Sequence, residues 1–576
     1  MKKLLHFLKG YWKESILAPI FKMLEAIFEL LVPIAVSIII DQGINGGDTN
    51  KIWLMCGVML ILAVVGLISA VCAQFFAAKA AVGFAAKLRS ALFEKIQSFS
   101  YAVTDKLGTS TLITRMTSDV NSVQTGVNMF LRLFMRSPFI VFGAMICALI
   151  IDVKLGLIFI GVIIILAIIV FGIMLISIAL HKKTQKRLDG VVAKVRGNYH
   201  GVRVIRAFNK ENSEIADFDE KIDSLTKIQR FAGRISALMN PLTYAVINFA
   251  IILLIKNGAI QVDSGNITQG ELIALYNYMS QILVELIKLA SLIITLNKAS
   301  ASAQRISDVF DTPNDVNFNV DNKTDTDIYA VKFENVSFKY TSESNDNVIE
   351  DISFAVRSGE TVGIIGGTGS GKTTLANLIS GFYHATEGNI FIYGNNASLL
   401  DGLDRKDIFG IVPQKATLFA GTIRSNLLFG DEKATDEDLW QALELAMAKD
   451  FVSEKPGGLD EKVLQNGTNF SGGQRQRLTI ARALTRKPKI LILDDSASAL
   501  DYATEAALRK NISLLDYSPT VFIISQRASS IMHADKIIVL DDGIPVGIGT
   551  HKELLDSCDI YKEIYATQFS EGGEQK

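Results

Sequence analysis

Six apolar stretches dominate the first half of this 576-residue chain, and nothing in it constrains the fold more. A helix that crosses a bilayer takes about 20 residues. The runs at roughly 15–40, 52–78, 131–151, 155–180, 235–256 and 271–296 all reach that length. Inside lipid, each backbone N–H and C=O must find its partner within the segment, so such runs are read as helices. The expectation is an all-α membrane domain over residues 1–310 with six spans. Short connections follow the first, third and fifth spans and carry only Lys51, Lys154 and Lys256. The two long ones hold Lys87, Arg89, Lys95, Lys106 and Arg115, then Lys182, Lys183, Lys186, Arg187, Arg203 and Arg206. The positive-inside rule then puts the N-terminus, both long connections and everything past the sixth span in the cytoplasm.

Residues 79–130 and 182–234 keep an apolar spacing suited to helices that continue out of the bilayer. Each contains an interruption, Gly108–Arg115 and Asn198–Arg206, where a short transverse helix is expected to dock on a cytoplasmic domain. Plain polar hairpin tips are the alternative. Charges inside the spans are costly and have to face a cavity or one another. Lys22, Glu25 and Glu29 share one helix face, and Glu285 and Lys288 form an i, i+3 pair; either cavity lining or ion pairing fits that spacing. Arg132 and Arg136 open the third span and are expected to snorkel to its cytoplasmic end.

A net charge of −1 argues against a nucleic-acid partner held by phosphate neutralisation. The four cysteines, Cys56, Cys72, Cys147 and Cys558, form no C-x-x-C pair, which points to neither a disulfide framework nor zinc. An acidic, turn-rich tract over 311–327 reads as a linker. Residues 328–576 read as an α/β domain.

Within that domain, Gly366-Gly367-Thr368-Gly369-Ser370-Gly371-Lys372-Thr373 fits G-x-x-x-x-G-K-[ST] at every fixed position. Apolar Thr361–Ile365 enters it as a strand and Thr374–Ile379 leaves it as a helix, the setting the motif requires. Backbone N–H groups of such a loop cradle phosphate oxygens, and the helix N-terminus adds positive potential. Lys372 then reaches the β- and γ-phosphates while the Thr373 hydroxyl ligates magnesium. Residues Gly366 to Thr374 are therefore the candidate contacts for ATP, with Mg2+ as second cofactor. Asp494 ends the apolar strand Ile490–Leu493, the place for a magnesium-holding aspartate. Tyr340 ends a strand upstream of the loop, where its ring either stacks on adenine or packs on the sheet.

Between loop and aspartate lies Phe470-Ser471-Gly472-Gly473-Gln474-Arg475-Gln476-Arg477. With this stretch the chain resembles the ATP-binding-cassette exporters, in the half-transporter form that fuses six membrane helices to one cassette. The likeness covers essentially the whole chain. It rests on five ordered motifs: the glycine loop, Val412-Pro413-Gln414, Ser471-Gly472-Gly473-Gln474, Asp494, and Ser498-Ala499-Leu500-Asp501. The resemblance implies two cassettes paired head to tail, with ATP between the glycine loop of one and the Ser471–Gln474 signature of the other. It places Gln414 near magnesium and the attacking water. It also implies a second half-transporter as partner, membrane lipid as surroundings, a hydrophobic small molecule or peptide as cargo, and a plasma-membrane location.

Two positions depart from the family pattern. A hydrolysing site in proteins of this kind carries glutamate after the magnesium aspartate, and here that position is Asp495. Aspartate leaves the carboxylate about 1.5 Å short, and a misplacement of that order can cost ~100-fold. After the strand Val521–Ser525 the family has a histidine, and this chain has Gln526. Glutamine can hydrogen-bond a γ-phosphate oxygen but cannot take up and return a proton. With the signature intact, the pattern resembles the degenerate-site subunit of a heterodimeric exporter. Asp495, Gln526 and Gln414 would form its own slow site, and Ser471–Gln474 would complete a competent one on a partner that keeps glutamate and histidine. The alternatives are a slow homodimeric exporter, a regulatory ATP-sensing subunit, and an importer on the same fold.

Overall fold

The protein is described here by a computed structural model covering residues 2–314, 329–340, 346–400 and 402–569. Among the described residues, six helices are long and apolar enough to cross a membrane: Leu4–Ile44, Thr49–Gln97, Thr109–Ile151, Val153–Ala207, Glu211–Asp263 and Gln269–Asp311. Each outruns its apolar stretch, because a helix once started adds a hydrogen bond per residue whatever surrounds it. Most of the tract read as a linker, 311–327, lies outside the described residues.

The chain forms two compact units, one of Met1–Ser98 with Leu107–Pro313, the other of Phe99–Lys106 with Asn314–Lys576. Residues 99–106, assigned to the membrane domain from sequence, thus pack with the second unit. The Ser100 N–H donates to the Asn314 carbonyl at 2.8 Å, and the Tyr101 ring stacks on Phe382 with centroids 4.5 Å apart. The separate short helix of the first long connection is Tyr101–Leu107. Gly108, with φ +76°, is the bend that follows it. The predicted Gly108–Arg115 is helical as well, over Thr109–Thr114, but that turn runs on into the third membrane helix, Thr109–Ile151. In the second connection the predicted break at Asn198–Arg206 lies inside one continuous helix. A lone Gly201 costs that helix only ~1 kcal/mol, too little to break it. The chain turns instead past Ala207, where Asn209 takes a left-handed φ of +51°.

Arg136 does not snorkel; it is buried, 6% exposed. Its Nη1 donates to Glu285 Oε1 at 2.6 Å and its Nη2 to Glu29 Oε2 at 2.5 Å. Ser137 Oγ and Lys288 Nζ also donate to Glu285, each at 2.8 Å. Lys22 pairs with Glu25 at 2.5 Å. Charges of the first and sixth spans are therefore ion-paired through an arginine of the third.

Where the first span ends, Asp41 caps the sixth. Its Oδ1 accepts from the Gly270 N–H at 2.8 Å and its Oδ2 from the Thr268 hydroxyl at 2.5 Å. A Cβ at Gly270 would stand 2.3 Å from the Ser37 carbonyl, so the approach depends on glycine. Asp41→Ala is expected to lower stability by about 1–2 kcal/mol, the worth of a lost helix cap. Thermal unfolding of the purified full-length protein checks this.

In the second unit, strands β1 (Val331–Phe338), β2 (Ile349–Val356), β4 (Glu387–Ile392) and β5 (Asn395–Asn396) form an antiparallel sheet in the order β2-β1-β4-β5. A second sheet gathers β3 (Thr361–Gly366), β6 (Phe409–Val412), β9 (Ile490–Asp494), β10 (Thr520–Ile524), β11 (Lys536–Asp541) and β12 (Ile544–Gly549). Its order is β12-β11-β3-β10-β9-β6, while β7 (Gly421–Thr422) and β8 (Lys462–Val463) pair separately. Strands β11, β3, β10, β9 and β6 run parallel and read as nearly continuous apolar runs, as strands covered on both faces do.

Candidate nucleotide site

Parallel register brings the motifs together. Ile524 of β10 lies opposite Ile364 of β3 on one side and opposite Asp494 of β9 on the other. Val412 of β6 pairs with Leu493. The four segments leaving these strands (the glycine loop, Ser525-Gln526, Asp495 and Pro413-Gln414) therefore emerge at one carboxyl edge, where open parallel sheets bind ligands.

A cavity of about 260 Å³ opens there, lined by Val348, Thr368, Gly369, Gly371, Lys372, Thr373, Thr374, Gln414, Asp494, Asp495, Ile524, Ser525 and Gln526. Gly371 starts the helix Lys372–Ile379 with φ +91°, and a Cβ on it would meet Ile349 Cδ1 at 2.7 Å. Only glycine fits that corner. The Lys372 ammonium is buried and held by the loop's own oxygens: Gly366 O at 2.9 Å, Gly367 O at 2.5 Å and Ser370 Oγ at 3.3 Å. Burial pushes its pKa down, against the upward pull of Asp495 and Asp494. Asp494 is buried too, and burial raises its carboxyl above the usual range; the bond from Thr373 opposes this.

Thr373 Oγ1 donates to Asp494 Oδ1 at 3.3 Å, so the two candidate magnesium ligands adjoin. The donor set fits the ion. Magnesium is commonly held by one or two protein oxygens plus substrate phosphates, and among the described residues no cluster of three His, Cys, Asp or Glu forms a cage. Gln414, the third candidate ligand, donates through Nε2 to Asp495 Oδ2 at 3.4 Å. Asp495 holds a left-handed φ of +44°, with its N–H donating to Ile524 O at 2.9 Å. Tyr340 is half exposed and joins the site through a 2.9 Å bond between its hydroxyl and Thr374 Oγ1.

The described residues lining the cavity do not include Ser471, Gly472, Gly473 or Gln474. Those four begin the helix Gly472–Thr485 with a capping box: Ser471 Oγ accepts from Gln474 N at 3.2 Å, and Ser471 N donates to Gln474 Oε1 at 3.0 Å. The first histidine after Gln526, His533, does not take its place: it lines a separate cleft with Thr361 and Arg509. The wall residues outside the predicted set are Val348, Ile524 and Ser525; they lie on or beside strands that do carry signals, but none has a residue type that marks a site.

Two family descriptions match this sequence: the ABC transporter transmembrane region over residues 15–286 and the ABC transporter domain over residues 349–498. The chain belongs to the ABC transporters. The uncharacterized ABC transporter ATP-binding protein YfiB of Bacillus subtilis (strain 168) is 36% identical over the full length of both chains. An uncharacterized ABC transporter ATP-binding protein of Mycobacterium tuberculosis is 35% identical, over 95% of this chain and 94% of its own. A bacterial Atm1-family ABC exporter with ATP bound shares the fold, with TM-score 0.80 and 23% identity over 98% of this chain and 99% of that one. This ABC protein is thus a multi-pass half-transporter whose cassette is an ATPase that drives transport, and half-transporters of the family work as dimers.

Proposed function

We propose that this ABC protein is the slow-site subunit of a heterodimeric exporter in the plasma membrane, with its nucleotide unit cytoplasmic, moving amphipathic drugs, lipids or peptides outward. The observation that carries this is Asp495. A carboxylate one methylene shorter than glutamate stands in the wall that also holds Asp494 and Gln414, and Gln526 in the same wall cannot take up and return a proton. When bound, Mg·ATP supplies the triphosphate that is hydrolysed. Lys372 would neutralise its oxygens, Thr373 and Asp494 would hold the metal, and Gln414 with Asp495 would orient water. Tyr340 backs the base. Ser471, capped and away from its own cavity, presents the first N–H groups of a 14-residue helix to a partner's γ-phosphate. The basic long connections support the cytoplasmic placement.

The test is Asp495→Glu in the full-length chain purified alone. Its ATPase rate is expected to rise about tenfold, part of the ~100-fold that such a misplacement costs, because Gln526 remains. A wild-type chain that alone turns over on the order of 10 s⁻¹, an ordinary enzyme rate, would overturn the slow-site reading.

A further inference from the structure

Tyr340 is not held by its sheet alone. Its ring meets Tyr383 edge-on, with centroids 5.2 Å apart and planes at 88°. Tyr383 is 7% exposed and packs edge-on to Phe338 at 5.5 Å. Its hydroxyl donates to the Asp105 carboxylate. Burial, and after it Asp105, pushes the pKa of that hydroxyl above its ordinary value. Tyr101, on the same short helix as Asp105, lies edge-on to Tyr383 at 6.5 Å. Edge-to-face rings and charge-assisted bonds are both directional. The bond at the far end of Tyr383 therefore fixes the surface against which Tyr340 rests.

We propose that Asp105 and Tyr383 are positioning residues for base binding: they set the ring of Tyr340, so a segment between the second and third membrane helices finishes the adenine end of the site. This rests on Tyr340 being the base platform. By linkage, base binding favours in turn the docked state of Tyr101–Leu107. The phosphate end, built on Lys372 and Thr373, does not depend on this chain of contacts.

The full-length protein in lipid nanodiscs tests it, by calorimetric titration with ATP and with inorganic tripolyphosphate, both with Mg2+. Tripolyphosphate can occupy the glycine loop but has no base. Tyr383→Phe and Asp105→Ala are each expected to weaken ATP about three- to tenfold, the scale of one hydrogen bond. Tripolyphosphate affinity should stay unchanged. Taking the ratio of the two affinities cancels the charge that Asp105→Ala removes. Tyr340→Ala, the control, should weaken ATP at least as much. If it does while the other two variants bind ATP like wild type, the positioning role is wrong and the platform stands. If Tyr340→Ala leaves ATP binding intact, both fall. A parallel loss of tripolyphosphate affinity would also overturn the proposal, since the residues would then support the whole domain.

Discussion

Lys372→Ala is expected to weaken Mg·ATP binding at least ~100-fold and to abolish ATP turnover. The ammonium is already stripped of water and held by the carbonyls of Gly366 and Gly367 and the hydroxyl of Ser370. Those neutral partners solvate it only in part, so a phosphate oxygen that replaces one gains a charge-assisted bond without a new desolvation cost. Hydrogen bonds to charged groups contribute about 1.5–3 kcal/mol each. Two of them give roughly 3 kcal/mol, or ~100-fold in affinity. Alanine also vacates the centre of the loop, yet Gly371 still makes the turn and Thr373 still faces Asp494. The fold should survive, and an unchanged melting temperature would show it. Titration calorimetry on the full-length protein measures the affinity; a loss below about threefold would mean that Lys372 does not face the phosphates.

Arg136→Met should cost about 3–5 kcal/mol of stability, the usual penalty for removing one partner of a buried ion pair. Glu285 is 2% exposed. It would keep Lys288 and Ser137 but lose the 2.6 Å contact to Arg136, and Glu29 would lose its 2.5 Å one. In a low-dielectric interior such groups have no good alternative. Adding Glu285→Leu should restore much of the loss, because a pair replaced by apolar side chains is often neutral. Thermal unfolding of the two single variants and the double gives the coupling directly. If Arg136→Met costs less than about 1 kcal/mol, the network does not hold the three spans together.

The Arg136 network was half legible. Spacing alone shows Lys22 facing Glu25, and Glu285 facing Lys288, since i, i+3 neighbours on a helix meet whatever the tertiary fold. Arg136 was misplaced because the partner that buries it, Glu285, lies 149 residues away. A terminal arginine on an apolar run normally has water to reach, and only helix packing removes that option. The short helix at Tyr101–Leu107 was missed for a similar reason. Gly108 marks the bend in the chain, but docking is decided by Tyr101 and Asp105 on the side before it.

The amino-acid sequence by itself determined the six membrane helices and the strand–loop–helix of the glycine motif. Each is local: an apolar run in lipid has one way to satisfy its backbone, and a glycine loop is written within a few residues. Tertiary structure alone decided that Asp494, Asp495, Gln414 and Gln526 share one cavity, that Arg136 is buried, and that Asp105 reaches Tyr383 across 278 residues. Those facts depend on strand register and helix packing, in which energies are summed over many distant contacts, so no short stretch of the chain carries them.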